Sequence, residues 1–287
     1  MPQTINTNLV SLNAQRNLTT SQSALATSMQ RLSSGLRVNS AKDDAAGLAI
    51  AERMNAQVRG MNVAMRNAND AISLAQTGEG ALGKVGDMFQ RMRELAVQSA
   101  NGTNTIADRA SLNNEFVQLA QETTRTLGGT QFNGVNILAT TDASTFQVGA
   151  NANTAIDQLT VSAFDWTTNT SINPVLGSAI LTGTDVPAMQ ITDAATASIS
   201  LAAIDTAINA VNSQRATFGA VQNRFENVVS NLLVSAENQT AARSRIMDAD
   251  YATETASLSR ASILQQAGNA MVAQANQLPQ QVLALLR

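Results

Sequence analysis

The amino-acid sequence predicts a mainly α fold: long antiparallel coiled-coil-like helices from both termini, with a small central β-hairpin region. Three observations carry this. Apolar residues recur three, four and seven apart near both ends, the stripe that lets slender helices pack along a seam. Aromatics make up only 3% of a chain that is 44% hydrophobic. A thick globular core normally draws on the large burial of aromatic side chains, whereas Ala, Leu, Val, Ile and Met suffice for helical seams. The middle of the chain is rich in Thr, Asn, Gly and Asp and breaks the helical period.

In chain order, the first predicted helix covers 5–36, with Ile5, Leu9, Leu12, Leu18, Leu25, Met29, Leu32 and Leu36 on its stripe. A break over 35–40 follows, and Ser40 or Asp43 is suited to cap the next helix. That helix is expected over 45–100, its seam including Met61, Ala68, Ala75, Leu82, Phe89, Met92 and Leu95. Gly78, Gly80, Gly83 and Gly86 interrupt it, each costing up to ~1 kcal/mol relative to Ala, and mark a kink or the close approach of another backbone. A shorter helix is expected over 105–127, stopping at Gly128-Gly129. From Gln131 to about Ala194, short strands are expected at 135–138, 145–148, 158–161 and 189–192, with turns at Asn133-Gly134 and over 149–153. The helical period returns near Ala195, where Ile204, Val211, Phe218, Phe225 and Leu232 form a seven-residue repeat. After a polar stretch over 243–250, Leu264, Met271, Leu278 and Leu285 repeat at seven, with Gly268 and Ala275 between them. Pro279 is expected to kink or end this last helix.

The composition excludes several function classes. With no Cys and no His, disulfides, thiol nucleophiles, thiolate or imidazole metal sites and imidazole acid–base catalysis are absent. No nucleophile–base pair, phosphate loop or acidic cation loop is visible, so no catalytic residue, metal or cofactor is assigned and the chain is not read as an enzyme. A net charge of −3 gives no footprint for nucleic acid. No apolar run has the length that inserts across a bilayer. The first twenty residues lack the basic and apolar regions of a cleaved secretory signal, which leaves cytosolic residence or export by another route. The carboxylates of Asp43, Asp44 and 243–250 read as helix caps and interhelix ion pairs.

Four blocks then resemble bacterial flagellins: INTNLVSLNAQRNLTTSQSALATSMQRLSSGLRVNSAKDDAAGLAIAERM near the start, QRMRELAVQSANGT at 90–103, TQFNGVNIL at 130–138, and ILQQAGNAMVAQANQLPQQVLALLR at the end. Long blocks in the right order are a far more specific signal than a short motif. The resemblance implies a structural subunit that polymerises into the bacterial flagellar filament for swimming motility. Weaker alternatives are a hook–filament junction-type axial protein and a secreted coiled-coil effector.

It also implies a layout. Residues 1–43 and 245–287 would form paired inner-core helices. Residues 44–150 and 190–244 would form a helical shell with hairpins, and 151–189 a short variable outer region. Expected subunit-interface residues are Leu9, Leu25, Leu32, Leu264, Met271 and Leu285. Implied partners are copies of the chain itself in a helical homopolymer, an export chaperone at the C-terminal helix, hook-associated and cap proteins, and a host innate immune receptor. Arg91, Leu95 and Glu115 would carry the last, although local charge pairing around a buried Met92 accounts for the same residues by packing alone. The expected location is extracellular, reached unfolded through the flagellum's own export channel.

Overall fold

The computed structural model describes residues 7–162, 164–176 and 189–285, with side chains up to Gln277. The elements run α1 (Leu9–Ser34), α2 (Ala45–Ala100), α3 (Ile106–Gly129), β1 (Gln131–Phe132), β2 (Val135–Asn136), β3 (Ser144–Gln147), α4 (Thr154–Asp157), β4 (Gln158–Val161), α5 (Asn173–Leu176), α6 (Ala194–Met247) and α7 (Tyr251–Leu285). Two contact units result: 1–58 with 237–287, and 59–236.

Local chemistry explains most boundaries. Asn8 caps α1 by accepting from Ser11 N, and Gly35 ends it in the left-handed conformation at φ 71°. Ile5, the expected start, lies outside the described residues. At the next helix, Asp43 accepts from the backbone of Asn39 and Ser40 and closes the preceding turn. The cap itself is Asp44, whose Oδ1 accepts from Gly47 N at 2.8 Å, so neither Ser40 nor Asp43 fills the expected role. Thr105 and Asp108 form a reciprocal capping box at α3. That helix runs through Gly128 and Gly129 and ends only where Thr130 turns extended, because neither glycine has a positive φ.

In the unit of residues 59–236, α2 and α6 pair antiparallel. Arg93 Nε donates to Asp205 Oδ1 at 2.6 Å and Gln222 Nε2 to Glu79 Oε2 at 3.0 Å. The seven-residue repeat of α6 is its buried edge: Ile204, Val211, Phe218 and Phe225 are all at most 1% exposed, against Leu82, Phe89, Met92 and Leu95 of α2 in one core. Of the four glycines expected to interrupt α2 over 78–86, only Gly78 meets a neighbour. An added Cβ would stand 2.9 Å from Phe218, whereas Gly80, Gly83 and Gly86 face open space, so among these four the close approach is at Gly78.

The centre is more tightly integrated than hairpins joined by loop. Asn133 (φ 50°) and Gly134 (φ 79°) make the two-residue turn joining β1 to β2, both at positive φ as a primed hairpin turn demands. β3 and β4 pair antiparallel from Ser144↔Val161 to Gln147↔Gln158. Trp166, Ile172, Val175 and Leu176 are fully buried in the core shared with α2, α3 and α6. The strand expected at 189–192 is absent. Ile191 instead inserts as a buried side chain, its N–H bonded to Asn113 Oδ1 and its carbonyl accepting from Ser99 Oγ.

In the other unit, the turn after α1 and the turn before α7 are clasped. Arg37 N donates to Met247 O at 2.6 Å, Ala249 N to Gly35 O at 2.9 Å, and the Arg37 guanidinium to Ile246 O at 2.7 Å. Val38, Ala51 and Met247 bury beneath. α7 continues past Pro279 to Leu285, so this proline does not end the helix.

Candidate assembly surface

From the clasp, α1 and α7 run side by side and antiparallel, as the contacts along them record. Tyr251 Oη donates to Leu32 O at 3.2 Å, Arg31 lies 3.8 Å from Glu254, and Gly268 sits against Leu18. Ser11 Oγ donates to Asn276 Oδ1 at 2.7 Å and Asn8 Nδ2 to Ala275 O at 2.6 Å. The inward edge of α7 is Glu254, Ala261, Gly268 and Ala275, seven residues apart. Each is buried except half-buried Gly268. On α1 the matching edge is Ser11, Leu18, Leu25 and Leu32, also at intervals of seven, with Ser28 buried beside them.

The sequence-predicted interface residues divide accordingly. Leu25 and Leu32 are half-buried in the helix pair. Leu9 (68% exposed), Leu264 (51%) and Met271 (62%) point away from it, joined by Leu12, Met29 and Ile263. The Leu285 side chain lies outside the described residues. The sequence reading took the large apolar repeat of α7 as its main seam. The small-residue repeat does the pairing instead, since Ala and Gly let helices approach closely, and the large side chains are left outside. The signal lay in the seven-residue spacing of Ala261, Gly268 and Ala275.

Arg91 and Glu115 are brought together across α2 and α3, whereas Leu95 turns into the core. Arg91 bonds Glu94 and Glu115, both at 2.8 Å, and these hydrogen bonds raise its pKa, the one to Glu94 most. Leu95 is 1% exposed and Met92 fully buried. Elsewhere polar side chains serve helix ends. Asp250 precedes α7 with its pKa lowered by hydrogen bonds from Thr253 and the Ala252 and Thr253 backbone, and Asp108 is lowered by Thr105. No cluster of three acidic side chains suited to a metal occurs among the described residues.

A pair of long helices that buries small residues and turns Leu and Met outward, together with a helical second unit, defines a mainly helical structural protein. A family model described as the bacterial flagellin N-terminal helical region matches residues 5–143, and one for the C-terminal helical region matches 201–286. A flagellin of Halalkalibacterium halodurans is 48% identical over 284 residues, covering 99% of both chains. A flagellin of Bacillus subtilis is 44% identical over 305 residues, again covering 99% of each. Among solved structures, a putative flagellar hook-associated protein from Vibrio parahaemolyticus has a TM-score of 0.57 at 13% identity, covering 72% of this chain and 100% of that one, a likeness of fold alone. The chain belongs to the bacterial flagellin family. It is a structural subunit of the flagellar filament, the propeller of swimming motility. Full-length identity to flagellins sets it apart from the junction-type and effector alternatives.

Proposed function

We propose that the outward apolar residues of the terminal helix pair, Leu9, Leu264 and Met271, with Leu25, Leu32 and Leu285, form the contact between neighbouring subunits. One observation carries this: three large apolar side chains on one helix pair are more than half exposed, a patch that soluble chains bury against a partner. A head-to-tail contact whose rotation does not close yields a filament of indefinite length. Residues 1–43 and 245–287 make the inner layer, 44–150 and 190–244 the shell, and 151–189 the short outer region. A lone helix pair of this slenderness is marginal, so the termini order on assembly. The same exposed face of α7 gives an export chaperone its hold before polymerisation, and cap and hook-associated proteins meet it at the filament ends. Secretion follows the flagellum's own channel, and the role is structural without catalysis. Host innate recognition centres on the exposed Arg91–Glu115 pair, with buried Leu95 holding that face of α2 in place.

Seeded polymerisation of Leu264→Asp/Met271→Asp tests the interface. Loss of sedimentable filament with unchanged monomer helicity is expected, and normal filament growth would sink the proposal. Amide exchange on the monomer tests the ordering step, and strong protection over 1–40 and 250–287 would reject it. For the receptor, a reporter-cell signal unchanged by Arg91→Ala and Leu95→Ala would do the same.

A further inference from the structure

The α1–α7 seam repeats every seven residues on both sides: Ser11, Leu18, Leu25, Leu32 against Ala275, Gly268, Ala261, Glu254. A slide of one heptad, about 10 Å of helix, would again set leucines on small residues. Apolar packing along this seam therefore discriminates poorly between alignments. Only the polar members differ from one heptad to the next. Glu254 is 9% exposed with Arg31 beside it at 3.8 Å, and Ser11 is 5% exposed and bonded to Asn276, one residue from the Asn8–Ala275 bond. A slide that sets Glu254 opposite Leu25 strands it in the seam without its cation, although Asn269 then takes the place of Asn276 opposite Ser11; the opposite slide puts Leu283 in the place of Asn276 and deprives Ser11 Oγ of that acceptor. The Glu254 side chain is 11% exposed while Arg31 keeps 32%, so losing the cation leaves a nearly buried carboxylate unpaired, which costs more than the partly exposed pair contributes. Arg31 Nε is itself buried with no acceptor, which marks the pair as poorly optimised for stability and suited to specifying alignment, as a single polar group does in a coiled coil.

We propose that Arg31–Glu254 at one end, and Asn8 and Ser11 with Ala275 and Asn276 at the other, are positioning residues that select one heptad register of α1 against α7. The clasp of Gly35 and Arg37 with Ala249 and Met247 has to open before either helix can slide; these two pins, about 30 Å apart along α7, oppose the neighbouring alignments once it opens. Because each copy must present the same outward stripe at the same height, a subunit paired out of register cannot continue a regular filament.

The absence of cysteine allows the register to be read directly. An added Cβ at Gly268 would lie 3.7 Å from Leu18 Cβ, within disulfide reach, whereas a one-heptad offset is not. Leu18→Cys is combined in turn with Gly268→Cys, Ala261→Cys and Ala275→Cys. Each full-length chain is co-polymerised into an excess of unmodified chain, oxidised, and scored for intramolecular disulfide on non-reducing gels. With the pins intact, only 18–268 closes. With Arg31→Leu/Glu254→Leu and Asn8→Ala/Ser11→Ala, the 18–261 or 18–275 product rises about tenfold. Unchanged exclusivity of 18–268 without the pins overturns the proposal. Should that variant not enter filaments, the charge exchange decides: Arg31→Glu alone loses 18–268 exclusivity and Arg31→Glu/Glu254→Arg regains it, and failure to regain it overturns the proposal. The disulfide reads pairing within one chain, so its outcome is separate from whether Leu264 and Met271 make the contact between chains.

Discussion

Gly78 and Phe218 meet across α2 and α6 with no room between them: a methyl group at Gly78 would stand 2.9 Å from one ring carbon and 3.1 Å from the next. Phe218 is 1% exposed and cannot swing clear without disturbing the core. Gly78→Ala is therefore expected to destabilise, because overpacking of roughly 1–3 kcal/mol outweighs a helix-propensity gain of about 1 kcal/mol. Gly83→Ala and Gly86→Ala, with open space at the new methyl, gain the propensity term alone and should raise the melting temperature. Thermal unfolding followed by circular dichroism separates the two behaviours; equal effects at all three positions would refute the packing account.

The β1–β2 hairpin makes a second prediction. Gly134 sits at φ 79° with no atom near its missing Cβ, so Gly134→Ala encounters backbone strain and no collision. A loss of about 1–2 kcal/mol is expected, with Gly134→Asn recovering part of it. Denaturant midpoints measured on the three chains would show otherwise if Ala and Gly matched.

Much of this architecture was legible in the sequence. The 45–100 helix and the 158–161 strand fall where periodicity and turn residues put them, because both are long or sharply bounded patterns. Leu9, Leu264 and Met271 were legible as apolar and periodic. Which way they faced was not, since a period does not say which of two stripes a partner helix takes, and here the partner took the small residues. The 189–192 segment looked like a strand from its branched side chains, yet Ile191 had side-chain amide and hydroxyl partners waiting at Asn113 and Ser99. Those contacts are tertiary and leave no local trace. Pro279 was expected to kink or end the helix because its missing N–H and its ring disfavour a helix interior; α7 extends six residues beyond it, so it does not end there.

Acid should loosen the turn before α2 and the starts of α3 and α7. Hydrogen bonds lower the pKa of three carboxylates from the ordinary Asp range: Asp43, chiefly through the Ser40 backbone, Asp108, chiefly through Thr105, and Asp250, chiefly through Thr253. A depressed folded-state pKa means that stabilisation is complete above the unfolded value and disappears as pH falls through the folded one. Stability should be flat from neutrality to about pH 5 and decline below about pH 4. Melting temperatures taken across that range, with Asp43→Asn and Asp108→Asn flattening the decline, check the assignment; an unaltered acid limb in the variants would remove it.

Trp166 is the chain's single tryptophan and is fully buried. Its replacement by Ala is expected to cost about 3–5 kcal/mol, comparable to losing Phe89 from the centre of α2. In the unmodified chain its fluorescence should be blue-shifted and should report unfolding of the unit of residues 59–236. A water-exposed emission maximum in the native protein would contradict the packing.

The burial of Val175 and Leu176 on one side and Ile191 on the other has a consequence for chain length. Both flanks, at Leu176 and at Ile191, are held by the same core, so a flexible insertion between them is expected to cost about 0.6 kcal/mol per doubling of the connecting length without displacing either flank. A chain lengthened between Leu176 and Ile191 is therefore expected to keep both flanks seated in that core, with a melting temperature close to that of the parent.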